Sequence, residues 1–185
     1  MRFRLSTKRL ILFVAAGLMT LSSAALASAQ DAFPTFKPQV IDANIGKVCY
    51  AVTHADFDGD GRIDTLVASR EGVHVVQGRE NGFSRKRLGT GAKGANPNQG
   101  GAAEIKLGRL AGGTRYIATV EPMHGTALVV YTPPGPDSKK NALWQRRVID
   151  SGFRRGHALW TADVDGDGSD EIVFGHSDTP KVPGV

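Results

Sequence analysis

Short apolar runs, broken at close intervals by glycine, proline, asparagine and aspartate, make up most of this chain. Tyr50-Ala51-Val52-Thr53, Thr65-Leu66-Val67-Ala68, Ala158-Leu159-Trp160-Thr161 and Ile172-Val173-Phe174 are rich in β-branched and aromatic residues, which suit a pleated, half-buried surface. The pattern predicts strands near 50–55, 63–69, 72–77 and 83–88, and again near 103–107, 115–121, 126–132 and 143–149. Asn81-Gly82 reads as a hairpin turn, Pro133-Pro134-Gly135-Pro136 as a surface loop, and Gly89 to Gly101 as a connection between units. Beyond the N-terminus no segment sustains a helical period, so the fold class is all-β.

Two of the turns carry an unusual density of charge. Asp56-Phe57-Asp58-Gly59-Asp60-Gly61-Arg62-Ile63-Asp64 recurs as Asp163-Val164-Asp165-Gly166-Asp167-Gly168-Ser169-Asp170-Glu171, with carboxylates at positions 1, 3, 5 and 9 and glycines at 4 and 6. Carboxylates this close repel one another unless a cation lies between them. Hard oxygen donors at irregular spacing suit Ca²⁺. The expected ligands are Asp56, Asp58, Asp60, the backbone carbonyl of Arg62 and Asp64 in the first window, and Asp163, Asp165, Asp167, the carbonyl of Ser169 and Glu171 in the second. An EF-hand would need a carboxylate at position 12, where Val67 and Phe174 stand, and a helix on either side. The cation is therefore expected in a turn between two strands.

The chain also aligns on itself. Val40-Ile41-Asp42 and Tyr50 to Asp64 match Val148-Ile149-Asp150 and His157 to Glu171. A third, degenerate copy from Lys106 to Val120 fits the same frame with Gly108 in place of Asp56; it keeps Gly113 and has lost the ligands. A repeat of some fifty residues with four short strands has the size of a β-propeller blade. The expected units lie near 48–90, 101–150 and 157–185, about two and a half blades, with Phe36 to Asp42 as an outer strand and the third strand of the last unit beginning near Lys181. On this reading the chain is truncated at its C-terminus, and open blade faces would favour self-association.

The acidic windows resemble the calcium loops of the FG-GAP/VCBS repeat family, also found in integrin α-subunit propellers. That resemblance implies ligands at positions 1, 3, 5, 7 and 9 and a calcium-binding propeller with a structural or adhesive role toward a protein or carbohydrate. Glu121-Pro122-Met123-His124-Gly125 and Gly156-His157-Ala158-Leu159-Trp160 are similar to segments in the propellers of aldos-2-ulose dehydratase-like proteins, sugar lyases whose active site includes a metal. This second resemblance implies a metal-dependent lyase or isomerase as the alternative activity, with Glu121 as an acid, base or ligand and a Zn²⁺-class ion near His124.

Topology brings the histidines into the same picture. His124 follows a second strand, His176 follows another, and His157 opens an innermost strand, so all three are expected at the end of the blades opposite the acidic turns, near a central channel. His54 and His74 fall within strands and read as ordinary packed or solvent-exposed residues.

The N-terminus sets the compartment. Arg2, Arg4, Lys8 and Arg9 precede an apolar run from Leu10 to Leu21 and a small-residue stretch, Ala25-Leu26-Ala27-Ser28-Ala29, the pattern of a secretory signal peptide over residues 1–29. The run is too short to span a membrane. The segment carries four of the 23 basic residues and none of the 18 acidic ones, so the mature chain is nearly neutral and nucleic acid drops out as a partner. Cys49 is the only cysteine, which excludes an intramolecular disulfide and leaves Ca²⁺ as the expected staple of an exported protein, secreted or periplasmic.

Overall fold

The computed structural model describes residues 34–94 and 99–178. The expected signal peptide and the strand expected from Lys181 lie outside them. Residues 34–39 are exposed and irregular. From Val40 onward the described residues form ten strands: β1 Cys49–Ala55, β2 Asp64–Ser69, β3 Gly72–Arg79, β4 Gly82–Gly89, β5 Ala103–Arg109, β6 Arg115–Glu121, β7 Ala127–Thr132, β8 Gln145–Asp150, β9 Arg154–Ala162 and β10 Glu171–Asp178. They build two four-stranded antiparallel sheets, β1-β2-β3-β4 and β5-β6-β7-β8, and a two-stranded sheet of β9 and β10. Every strand pairs with its neighbour in sequence, as expected of chains whose turns are short and glycine-rich. The described residues contain no helix.

The middle strands β2, β3 and β6 are buried on both faces, which is why they read as near-continuous apolar runs. Leu66, Val73, Val75 and Leu88 of the first sheet pack on Ile105, Ile117, Val129 and Tyr131 of the second. The opposite face of the second sheet, with Tyr116, Ala118, Val120 and Leu128, packs on Phe153, Leu159, Ile172 and Phe174. Fully burying one such side chain stabilises by about 1.5–3 kcal/mol, so these two apolar layers hold the sheets face to face.

Two sequence expectations need correction. The Phe36 to Asp42 segment is not a strand. Polar contacts hold its end instead: Arg85 pairs with Asp42 at 3.1 Å and also bonds the Asn44 carbonyl, and the Lys47 amide donates to Glu71 Oε1 at 3.3 Å. The degenerate copy also sits in a different frame. Gly108 lies inside β5 opposite Tyr116, and the pair Arg109↔Arg115 occupies the place of Ala55↔Asp64 and Ala162↔Glu171. The hairpin of the second unit is shorter by three residues, and the true repeat runs from Ala55 to Arg109 to Ala162.

The first strand of each sheet also carries a one-residue bulge, at Tyr50 in β1, Glu104 in β5 and Ala158 in β9. A bulge leaves one residue unpaired and re-aims its side chain.

Candidate functional site

The hairpins β1–β2, β5–β6 and β9–β10 all open toward one end of the sheets, and the β2–β3 and β6–β7 turns toward the other. At the first end the two acidic windows fold alike. Asp56 Oδ1 accepts from the Gly59 amide at 2.6 Å and its Oδ2 from the Gly61 amide at 3.2 Å; Asp163 does the same with Gly166 and Gly168 at 2.8 and 3.1 Å. The four glycines have φ of 81° to 87°, a left-handed curl that lets successive amides face one carboxylate. Asp64 and Glu171 reach back from the second strand to the Phe57 and Val164 amides, at 3.2 and 2.7 Å.

These loops bring Asp56, Asp58 and Asp64 together, with one oxygen from each within 4.8 Å of the others, and likewise Asp163, Asp165 and Glu171. The position-5 residues fall outside both groups. Asp60 is turned to Arg62, whose guanidinium hydrogen bond holds its carboxyl below the ordinary range, and Asp167 caps the Ser169 amide at 2.7 Å. Ser169 Oγ instead accepts from the Ala111 amide at 3.1 Å. Sequence reasoning missed Gln77, on β3, whose Nε2 donates to Asp58 at 2.7 Å and to the buried Asp64 at 3.4 Å. An uncharged residue on a strand outside the motif gave no signal.

At the opposite end His124 and His157 converge. Their rings meet edge to face with centroids 4.5 Å apart, and His157 Nδ1 lies 3.4 Å from Glu104 Oε1. His176 is not part of the pair; its ring stacks on Phe153 at 5.7 Å. The backbone here is costly. Glu104, His124, Arg155 and Ala158 are the non-glycine residues with positive φ, 47° to 53°, in a region that costs an L-residue about 1–2 kcal/mol. Among the described residues no other non-glycine position has it. The bulge in β5 supplies Glu104, and the bulge in β9 follows directly on His157. The Gly156 amide donates to the Gly125 carbonyl at 3.0 Å and so ties the His124 turn to the start of β9. A pocket of about 410 Å³ opens beside this turn, lined by Tyr50, Lys93, Gln99 and His124 among others.

Glu121, read from sequence as an acid, base or ligand, does other work. It is fully buried and both oxygens are taken: Oε1 accepts from Thr119 at 3.0 Å and Tyr131 at 2.5 Å, and Oε2 from Arg146 Nε at 2.8 Å. Burial and the adjoining carboxylate push the Tyr131 phenol well up from its usual value. This network anchors the base of the His124 turn to β7 and β8. His54 is exposed and 3.3 Å from Thr65, His74 is buried in β3, and Cys49 is exposed and free.

No helix among the described residues is long and apolar enough to cross a membrane. The aldos-2-ulose dehydratase of Phanerodontia chrysosporium is 33% identical over 134 residues, which is 66% of this chain and 15% of that protein. The chain therefore spans a small part of that relative's length. The family described as aldos-2-ulose dehydratase, beta-propeller domain, matches residues 19–134, which takes in the acidic first loop and the His124 turn. By that match the chain belongs to the aldos-2-ulose dehydratase β-propeller family.

Proposed function

We propose that this chain supplies the substrate-facing propeller surface of an exported sugar dehydratase, with Glu104, His124 and His157 as the reacting group and the acidic loops as Ca²⁺-bound braces. The observation that carries the reading is the approach of His124, on strained backbone and lining a pocket, to His157. Glu104 fixes the tautomer of His157 by accepting from Nδ1, which leaves Nε2 free as a base. In an aldos-2-ulose the proton on the carbon next to the carbonyl is acidic. His157 takes that proton, His124 gives one to the hydroxyl on the next carbon, and water leaves as the carbon–carbon double bond forms. The ligand atoms of Glu104, His124 and His157 do not gather round one point as the carboxylates of each acidic loop do, so the three are read as acid, base and positioning group rather than as a metal-ligand set.

The loops are read as FG-GAP/VCBS-type calcium turns. Three convergent carboxylates per loop, the glycine curls and the buried Asp64 support this. At about 1 mM Ca²⁺ and extracellular affinities each ion would add about 0.4–1.4 kcal/mol. Export rests on the signal-peptide pattern of residues 1–29. The test is elimination from an aldos-2-ulose, followed by the ultraviolet absorbance of the conjugated product. The chain should turn it over and His124→Ala and His157→Ala should lose at least about a hundredfold; a fully active His157→Ala would refute the assignment.

A further inference from the structure

The junction between the first and second sheets differs from the next one at the loop end. Between the second and third sheets the hairpins lock directly: the Asp170 amide donates to the Arg109 carbonyl at 2.6 Å, the Arg109 amide to Asp170 Oδ2 at 2.7 Å, and Tyr116 OH to the Asp170 carbonyl at 2.6 Å. Between the first and second, the hairpins themselves do not lock: the Arg115 side chain donates from Nη1 to the Phe57 carbonyl at 2.9 Å, and the Trp144 amide donates to the Leu88 carbonyl of β4 at 2.8 Å. A groove of about 440 Å³ remains there, within the usual range for a ligand cleft.

Four segments build it. Phe57 and Trp144 stack with centroids 5.3 Å apart and form a half-buried aromatic floor, with the exposed Pro133 at its margin. Asp58, Thr114 and Arg115 form the polar wall. Asp58, one of the three carboxylates of the first acidic loop, stands beside the Arg115 guanidinium on this wall, so the groove offers a guest no unbalanced charge of either sign, and the aromatic floor disfavours a purely polar guest. A neutral ring with one face of C–H bonds and an edge of hydroxyls satisfies all three demands: the C–H face lies on the aromatic floor, and the hydroxyls donate to Asp58 and accept from Arg115 and Thr114.

We infer that the groove between the β1–β2 and β5–β6 hairpins is a saccharide-binding site for one or two neutral pyranose rings, at the end of the sheets opposite His124 and His157. It holds sugar without turning it over, and it stands apart from the proposed reaction.

The experiment uses a Trp160→Phe chain, in which Trp144 is the sole tryptophan. Cello-, xylo-, malto- and β-1,3-gluco-hexaose are titrated against indole emission, and the matching insoluble polysaccharides are tested by depletion of the protein from solution. At least one hexaose should give a saturable change with Kd of about 0.1–1 mM; depletion without a hexaose response would assign the groove to extended chains on a solid surface. By calorimetry Trp144→Ala should weaken binding about tenfold and Thr114→Ala about threefold. Trp144→Phe, which keeps an aromatic ring against Phe57, should stay within a few-fold of the parent and guards against a folding defect. No response to any sugar by a folded Trp160→Phe chain, undiminished binding in Trp144→Ala, or binding of a proline-rich peptide in place of every sugar would overturn the proposal. Because turnover is read with His124 and binding with Trp144, the two can fail separately.

Discussion

The two ends of these sheets meet the same geometric demand by different means. At the loop end, every residue described with a positive φ is a glycine, Gly59, Gly61, Gly82, Gly113, Gly166 and Gly168, and the curl of the two acidic loops is lined by amides that aspartate oxygens satisfy. At the other end Gly72, Gly91 and Gly101 also have positive φ, but so do Glu104, His124, Arg155 and Ala158, with a Cβ in place. Glycine costs little there, whereas a side chain held there must be held by its surroundings. Under the proposed function the acidic loops brace the fold, beside the groove inferred above. The histidine end keeps particular side chains in unfavourable backbone positions, the signature of a surface whose side chains matter.

Substitutions can push on this contrast. The largest effect should come from Glu121→Ala, which removes the acceptor of Thr119, Tyr131 and Arg146 beneath the His124 turn; denaturant unfolding should show a loss of about 3 kcal/mol or more. Next, Gly166→Ala should cost about 1–2 kcal/mol, because its Cβ would meet open space and only the backbone objects. Ala158→Gly should have the opposite sign, neutral or up to about 1 kcal/mol stabilising. A cost at Gly166 with none at Ala158, two exposed positions, would confirm where the strain lies; a destabilised Ala158→Gly would erase the contrast.

A smaller effect is expected from pH. Burial, then the nearby Arg87 and Arg85, lowers the His74 pKa below its ordinary 6.5, and Glu71 and Asp42 offset part of this. As pH falls the unfolded chain takes up that proton first. The stability from the neutral ring is complete above about 6.5 and is lost below it, so Tm should drop between about pH 7 and pH 5, and His74→Gln should flatten that slope.

Strand placement was legible because local pattern governs it. The eight strands expected between Tyr50 and Asp150 appear within two residues of their expected limits, since β-branched runs between turn residues leave the backbone few alternatives, whereas the outer strand expected over Phe36 to Asp42 does not form. The acidic loops were legible for the same reason, their contacts being local: Asp56 with Gly59 and Gly61, Asp64 with Phe57. What was not legible depends on partners far along the chain. Gln77 reaches Asp58 from β3, Glu121 is spent on Tyr131 and Arg146, and Arg115 bridges to Phe57. The frame of the second unit was misread because a loop that has lost its carboxylates also loses length. Its shorter hairpin closes on the Gly113 amide to Leu110 carbonyl bond at 2.7 Å, which an ungapped alignment cannot anticipate.

The division of labour between the two ends is tested most directly by calorimetric titration of Ca²⁺ into the chelator-treated chain. Two ions should bind, Asp64→Asn and Asp163→Asn should each abolish one, and the double variant His124→Ala/His157→Ala should keep both. Two ions retained in either aspartate variant, or an ion lost with the histidines, would contradict the assignment of bracing to one end and chemistry to the other.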